Sequence, residues 1–251
     1  MKRFLLIALV LIVAAGSVMA GSVKEADSGI TKIVVATDAT WPPMEFLNSN
    51  KEIIGYDIDL MVAVAAAAGI EVEFRNTAWD GIFAGLANND YDAVISSVTI
   101  TDERKGTMDF SDPYINAGQV LIVSQSKTGV TTLADLKGET VGAQIGTTGA
   151  FAVTDAGIDL ATYDELGLAI EDLANGRIAG VVADTPIAAD YVLQNERYKS
   201  TLMIVGEPFT DEYYGVAVKK GNSELLDLIN KGLAEVLAEN LSDQLADKWL
   251  R

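Results

Sequence analysis

The chain alternates short apolar runs with segments of helical periodicity in its first third. Strands are predicted at residues 32–37, 72–74 and 92–95, and helices at 57–68 and 79–88. The first helix carries apolar residues three and four positions apart and is expected to end at Gly69. Strands that alternate with helices in this way form βα units around a mainly parallel sheet. The pattern therefore predicts an α/β fold.

A second alternating set follows between residues 118 and 208. It contains predicted strands at 119–123, 140–143 and 179–183, a helix that starts at Thr147 and a helix after Pro186. The chain then offers a strand at 214–218 and two amphipathic helices at 223–238 and 241–250. Because 251 residues are many for one core, one large or two medium-sized lobes are expected.

Residues 1–20 have the pattern of a secretory signal peptide. Lys2 and Arg3 precede an almost wholly aliphatic run at 4–15, and Val18 and Ala20 occupy the positions before the expected cleavage site. The alternative is an uncleaved anchor, because the apolar stretch almost reaches the length of about 17 residues that can span a bilayer. Cleavage is the favoured interpretation, and it places the mature protein outside the cytoplasm.

Cysteine and histidine are both absent from the sequence. Without cysteine there is no disulfide framework, thiol nucleophile or lipid-bearing cysteine after the signal. Without histidine the most common general base and metal ligand is missing, so no metal site and no cofactor are predicted. The formal net charge is −18, and it becomes −20 once Lys2 and Arg3 leave with the signal. So acidic a surface repels phosphate backbones, and nucleic acid is not an expected partner.

Hydroxyl groups and one arginine are concentrated directly after the predicted strand at 92–95. Ser96, Ser97 and Thr99 follow this strand, Thr101 is a candidate helix N-cap, and Arg104 comes one short turn later. An arginine fork matches a carboxylate, and serine or threonine oxygens can accept from an ammonium group. These are the groups that recognise an α-amino acid. The alternative interpretation is an ordinary strand-to-helix turn with a solvated arginine.

Short motifs spread over essentially the whole mature chain support the first interpretation. They are GYDIDL at 55–60, WDGI at 79–82, TITDER at 99–104, FSDPY at 110–114, DLKG at 135–138, GTT at 146–148, DTP at 184–186 and YGVAV at 214–218. Their number and order resemble the extracellular amino-acid-binding proteins that supply ABC importers, including the glutamine-, histidine- and arginine-binding proteins. This resemblance implies a periplasmic-binding-protein type II fold with two lobes.

The resemblance also implies how the chain is divided between the lobes. Each lobe is expected to contain a mixed, mainly parallel sheet flanked by helices, and two hinge strands are expected to join the lobes. Lobe 1 would contain residues 29–115 and 214–251, lobe 2 would be an insertion at 118–209, and the hinge segments would lie at 114–118 and 209–214.

Eleven residues are assigned to the ligand site through the same resemblance. The α-carboxylate is assigned to Arg104, Thr99 and the backbone N–H of Thr148, and the α-ammonium to Asp184 and Ser97, with Ser96 close by. The pocket for the ligand side chain is assigned to Asp38, Trp41, Glu45, Trp79 and Gln144. For the two tryptophans the alternative is core packing, and Glu45 is expected to be solvent-exposed.

The pocket residues favour a basic ligand. Asp38 supplies a negative charge, and tryptophan rings attract a guanidinium by about 0.5–2 kcal/mol. Arginine is therefore predicted first, then lysine, ornithine or histidine, with glutamine as the main alternative. The resembled glutamine-binding pattern has a lysine in place of Gln144 and a histidine in place of Ala183, which weakens the glutamine assignment.

The expected function is non-enzymatic binding with delivery to a membrane permease. The protein is predicted to be a monomer located in the periplasm. The periplasm is favoured because a secreted binder without an anchor would diffuse away from a cell that lacks an outer membrane. One alternative is an enzyme similar to cyclohexadienyl dehydratase, for which Glu45 is the only spare carboxylate. Another is a sensor module, which is not expected because no membrane-spanning segment follows Arg251.

Overall fold

The computed structural model describes residues 29–251. The predicted signal peptide at 1–20 lies outside the described residues. The strands are β1 (Lys32–Thr37), β2 (Thr40–Trp41), β3 (Glu45–Leu47), β4 (Ile53–Ile54), β5 (Glu71–Asn76), β6 (Ala93–Val94), β7 (Met108–Phe110), β8 (Ile115–Asn116), β9 (Gln119–Ser124), β10 (Thr140–Gln144), β11 (Asp159–Tyr163), β12 (Gly180–Asp184), β13 (Leu202–Val205), β14 (Tyr213–Tyr214) and β15 (Ala217–Lys219).

Eight α-helices are found among the described residues. They are α1 (Tyr56–Ala68), α2 (Ile82–Asn88), α3 (Asp102–Thr107), α4 (Thr148–Asp155), α5 (Leu166–Ala174), α6 (Thr185–Ala189), α7 (Ser223–Ala238) and α8 (Leu241–Trp249). A 3₁₀ turn at Leu133–Leu136 and a π turn at Asp190–Gln194 complete the helical structure of this part of the chain. None of the helices between residues 29 and 251 combines the length and the apolar character needed to cross a membrane.

The first lobe is built on a five-stranded sheet with the order β5-β1-β6-β15-β7. β1 pairs in parallel with β5 and β6, whereas β15 runs antiparallel to β6 and β7. Helices α1, α2, α3, α7 and α8 pack on this lobe. Because β15 comes from the end of the chain, both ends of the described chain belong to the first lobe.

The second lobe is built on a sheet with the order β11-β10-β12-β9-β13. β10 pairs in parallel with β11 and β12, and β9 runs antiparallel to β12 and β13. Helices α4, α5 and α6 pack against these strands. The predicted α/β fold with two lobes and mixed sheets is confirmed.

Two short strands lie where the chain passes between the sheets. β8 leads into the second lobe, β14 leads back to the first, and the two pair antiparallel, with Ile115 opposite Tyr214. The backbone N–H of Ala117 also donates to the carbonyl of Glu212 at 2.8 Å. The two passages therefore form one ribbon, and both fall within the predicted hinge segments.

The elements that local sequence signals predicted lie within a few residues of their observed positions, but β11, α5 and β13 of the second lobe were not predicted. Helix α1 ends where Gly69 adopts a left-handed conformation with a φ of 73°, as expected for a glycine C-cap. The prediction of a helix at 79–88 is wrong in its first turn, because Gly81 has a φ of 95° and the helix begins at Ile82. The strand predicted at 214–218 is divided between the ribbon and the first sheet.

Candidate functional site

A narrow polar cavity lies between the two lobes. Its lining residues come from both lobes and are Trp41, Trp79, Ser97, Thr99, Arg104, Thr147, Thr148 and Asp184. Seven of the eleven residues that the sequence assigned to the site are in this set. The other four, Asp38, Glu45, Ser96 and Gln144, form the hydrogen-bonded walls beside the cavity.

Arg104 enters the cavity from the short helix α3. The Thr101 side chain accepts the backbone N–H of Arg104 at 3.1 Å, so the predicted N-cap fixes the start of the helix. The guanidinium donates to the carbonyl of Thr99 at 2.8 Å and, across the cleft, to the carbonyl of Gly146 at 3.3 Å. These bonds hold the arginine fork against both lobes.

Two aromatic rings enclose the same guanidinium. Its central carbon lies 5.3 Å from the ring centroid of Trp79 and 5.2 Å from that of Phe83, within the range of cation–π attraction. Burial lowers the pKa of Arg104, and the charges of Asp184 and Glu212 act in the opposite direction. Within residues 29–251 no carboxylate forms an ion pair with it. Arg104 is therefore a buried cation without a carboxylate partner in that range.

Asp184 faces the cavity from the end of β12. Its Oδ1 accepts from Gln119 Nε2 at 2.7 Å, and its Oδ2 accepts from the hydroxyl of Tyr214 at 2.5 Å. Burial raises the pKa of Asp184 to about 7, although these two hydrogen bonds lower it. No lysine or arginine in the described range forms an ion pair with Asp184. The carboxyl group therefore has no cationic partner among the described residues.

Helix α4 presents its first turn to the cavity. The side chain of Thr147 caps the helix by accepting from the backbone N–H of Ala150 at 3.2 Å. The Thr148 hydroxyl donates to Glu212 Oε2 at 2.7 Å and lies 3.5 Å from the Thr99 hydroxyl of the other lobe. Unpaired backbone N–H groups and the helix dipole favour an anion at such a position.

Gln144 joins the lobes beside the two tryptophans. Its Nε2 donates to Asp38 Oδ2 at 3.0 Å, and the indole N–H of Trp41 donates to its Oε1. Burial raises the pKa of Asp38, whereas the hydrogen bond from Gln144 lowers it. Three of the five residues assigned to the ligand's distal end, Asp38, Trp41 and Gln144, therefore form one hydrogen-bonded group across the cleft.

Glu45 is fully buried, so the expectation that it is solvent-exposed is wrong. The hydroxyls of Ser96 and Ser97 donate to its two carboxyl oxygens at 3.1 and 3.2 Å. Burial, followed by the charge of Asp57, raises the pKa of Glu45 well above its usual range. Asp57 also accepts the backbone N–H of Ser97 at 2.8 Å, where the φ of Ser97 is 50°. Glu45 and Asp57 thus fix the positions of Ser96 and Ser97 through hydrogen bonds on the side away from the cavity.

Several residues at the site were not identified from the sequence. Phe83 stands four residues after Trp79 in the segment predicted to be a helix, a spacing that could have indicated it. Gln119 is a fully buried polar residue at the head of an apolar strand, which is also a usable signal. Glu212 and Tyr214 carry no local signal, because only the packing of the ribbon brings them to the cavity.

Two α/β lobes, a paired ribbon between them and a polar cavity at their interface define the class of two-lobed solute-binding proteins. The chain belongs to the bacterial extracellular solute-binding proteins, family 3, whose family model matches residues 33–251. Relatives that align with this chain over most of their own length support the same family assignment.

Among these relatives is a probable histidine-binding protein of Neisseria gonorrhoeae, which is 39% identical over 86% of this chain and 81% of its own. The ABC transporter arginine-binding protein 1 of Escherichia coli strain K12 is 35% identical over 88% of this chain and 92% of its own. A solved structure of an ancestral arginine-binding protein bound to arginine has a TM-score of 0.82 and 42% identity, covering 88% of this chain and 98% of that one.

Proposed function

We propose that this protein binds a basic L-amino acid, arginine first, and delivers it to an ABC importer. The observation that carries the proposal is the pair Arg104 and Asp184, which line one cavity. Each is buried, and neither has an oppositely charged partner in the described range. A buried charge is costly unless it is paired, and a zwitterion supplies the missing partner to both.

The head group is proposed to bind across the two lobes. Arg104, the Thr99 hydroxyl and the backbone N–H of Thr148 hold the α-carboxylate, and Asp184 holds the α-ammonium with help from Ser97. The ligand then contacts both lobes at once, so it stabilises the closed state more than an open one. The hinge segments at 114–118 and 209–214 are proposed to accommodate this movement, and the closed form is the one that the permease recognises.

The ligand side chain is proposed to extend between Trp41 and Trp79 toward Asp38. Two aromatic faces and a carboxylate suit a guanidinium or an ammonium group. Relatives named as histidine- and arginine-binding proteins support a basic ligand. Another relative, the L-cystine-binding protein TcyJ of Escherichia coli, is named for an amino acid without a basic side chain. Lysine and ornithine fit the same chemistry, and glutamine remains the main alternative.

The proposed activity is binding without catalysis. The dehydratase alternative relied on Glu45, and this residue lies behind Ser96 and Ser97 and does not line the cavity. An acid or base must reach the substrate to act on it. We further propose that residues 1–20 are removed on export and that the protein works in the periplasm as a monomer.

A thermal-shift screen against the common amino acids, followed by calorimetry, tests the proposal. A tight ligand raises the apparent stability by mass action, and arginine is expected to give the largest shift. Arg104→Ala is expected to weaken binding by about 2–5 kcal/mol, or about 30-fold or more.

Arg197→Ala is the control, because Arg197 is exposed and pairs with Glu171 outside the cavity. It is expected to bind as the wild type does. If Arg104→Ala kept its full affinity, the assignment of the carboxylate site would be wrong. If no amino acid in the screen raised the melting temperature, the proposed function itself would be contradicted.

A further inference from the structure

Glu212 reaches the cavity wall from the segment between β13 and β14. Its backbone carbonyl belongs to the ribbon and accepts from the N–H of Ala117 at 2.8 Å. Its carboxylate accepts from the Thr148 hydroxyl at 2.7 Å and from Gln119 Nε2 at 3.3 Å. The first of these contacts is to a residue that lines the cavity. A side chain of the ribbon is therefore bonded directly to the candidate ligand site.

Gln119 connects Glu212 to Asp184. Its side-chain Nε2 donates to Asp184 Oδ1 at 2.7 Å as well as to Glu212, and Thr148 Oγ1 lies 3.1 Å away. Its Oε1 is buried and has no hydrogen-bond partner among residues 29–251. A reversed amide would place this oxygen against two carboxylates, so the two acids fix the orientation of the amide. Glu212 and Asp184 thus border the same side of the cavity.

The charges around the cavity are unbalanced. Arg104 is the one cationic side chain among its lining residues, whereas Asp184, Glu212 and Asp38 lie at or directly behind its walls. The influence of Glu212 extends to both ends of the head-group site. Burial raises the pKa of Asp184, and the charge of Glu212 raises it further. Burial lowers the pKa of Arg104, and the charge of Glu212 acts against this decrease. A zwitterion alone adds no net charge, so the excess of negative charge remains for the ligand side chain to offset.

We propose that Glu212 is a specificity-determining residue, whose negative charge beside Thr148 and Gln119 selects ligands with an additional positive charge. The inference rests on the proposed function, because it assumes that an amino acid occupies the cavity. Glu212 does not need to touch the ligand. In a cleft of low effective dielectric, a charge acts over several ångströms more strongly than it would in water.

Glu212→Gln separates the charge from the hydrogen bonding. The amide oxygen of glutamine can still accept from the Thr148 hydroxyl, so the wall of the cavity keeps its bond while the charge is removed. Glu207→Gln is the matched control, because Glu207 lies in the same connecting segment and is exposed. Calorimetry would measure the affinity of the wild type and both variants for arginine and for citrulline, its neutral isostere.

For Glu212→Gln the ratio of arginine to citrulline affinity is expected to fall by on the order of fivefold, and by more at low salt than at high salt. Glu207→Gln is expected to keep the wild-type ratio. An equal change for both ligands, or no change in Glu212→Gln, would overturn the proposal. Equal loss would mean that Glu212 has a structural role only.

Glutamate and glutamine form a second isosteric pair, which tests the role of Glu212 independently of the proposed basic ligand. If the wild type binds glutamine and rejects arginine, the proposal of a basic ligand is wrong. Glu212→Gln is then expected to raise the affinity for glutamate relative to that for glutamine by a similar factor. An unchanged glutamate-to-glutamine ratio would refute the role of Glu212 in that case. If the wild type binds no amino acid, the proposed function and this inference both fail.

Discussion

Asp184 and Arg104 show how single residues at the cavity are kept ready for an external partner. Asp184 is satisfied by neutral donors, Gln119 and Tyr214, and Arg104 by two backbone carbonyls. Neutral partners fill the hydrogen-bonding positions of a charged group without cancelling its charge. Both charges therefore lack an oppositely charged partner among the described residues, and a bound zwitterion would supply one to each.

The raised pKa of Asp184 predicts a pH dependence of binding. Burial raises this pKa to about 7 in the ligand-free protein, and pairing with an ammonium group requires the ionised form. Below pH 7 a proton must therefore leave when the ligand binds, so affinity should fall as the pH decreases, by up to about tenfold per pH unit. Calorimetry between pH 5 and 8, in buffers of different ionisation enthalpy, would measure both the affinity and the released proton.

The same shift has the opposite consequence for ligand-free stability. Because the folded state holds the proton more tightly than the unfolded chain, the contribution of Asp184 to stability is lost as the pH rises from about 4 to about 7. Asp190→Asn is a control for the binding experiment, since burial also raises the pKa of Asp190 and this residue does not line the cavity. Constant affinity from pH 5 to 8 would contradict the assignment of Asp184 to the ammonium.

At the scale of elements, the first lobe depends on the close approach of α1 and α7. The apolar residues of α7 that are buried include Leu225, Ile229 and Leu233, and they face the helix that opens with Tyr56. Gly232 lies where α7 packs against the backbone of α1. A Cβ placed there would stand only 2.3 Å from the backbone carbonyl oxygen of Val64. The two helices can approach this closely because glycine has no side chain.

Gly232→Ala is expected to destabilise the protein. The added methyl group forces α7 away from α1, and such overpacking costs about 1–3 kcal/mol. Thermal unfolding should show a lower midpoint, by roughly 2–4 °C for each kcal/mol.

Gly106→Ala in α3 is the matched control, because a Cβ at that position meets no atom within 4 Å. Relative to glycine, alanine favours the helix by up to about 1 kcal/mol, so this variant should be as stable as the wild type or more stable. Equal destabilisation of both variants would show that the α1–α7 contact is not the cause.

At the scale of the whole molecule, direct hydrogen bonds hold the two lobes together across the cavity. Gln144 of the second lobe bonds to both Asp38 and Trp41 of the first. Arg104 reaches the carbonyl of Gly146 at 3.3 Å from the other side. These bonds must break when the lobes separate, so they contribute to the balance between open and closed states.

Gln144→Ala is expected to shift the ligand-free protein toward the open state. The loss of two hydrogen bonds, each worth about 0.5–1.5 kcal/mol, changes the closed-to-open ratio by roughly 5- to 150-fold. Small-angle X-ray scattering should therefore give a larger radius of gyration for ligand-free Gln144→Ala than for the wild type.

Gln125→Ala is the control, because Gln125 also donates two hydrogen bonds, to the carbonyls of Lys199 and Leu202, but within the second lobe. It is expected to scatter like the wild type. An identical radius of gyration for Gln144→Ala and the wild type would show that the Gln144 bonds do not control closure.

The sequence by itself determined the features that depend on near neighbours. The alternation of strands and helices, the end of α1 at Gly69 and the cap of α3 at Thr101 all follow from residues within about one helical turn. Such signals were sufficient for the α/β class and for the approximate boundaries of the elements that were predicted. They misplaced the start of α2 because the turn at Gly81 was not recognised.

Only the tertiary structure showed the contacts that no local pattern encodes. Glu45 can be buried because the hydroxyls of Ser96 and Ser97, about 50 residues away in sequence, donate hydrogen bonds to its carboxyl group. Glu212 reaches Thr148, and Gln144 reaches Asp38, across separations of 64 and 106 residues. Contacts of this kind depend on the register of the sheets and on how the ribbon sets one lobe against the other, and no local pattern encodes either.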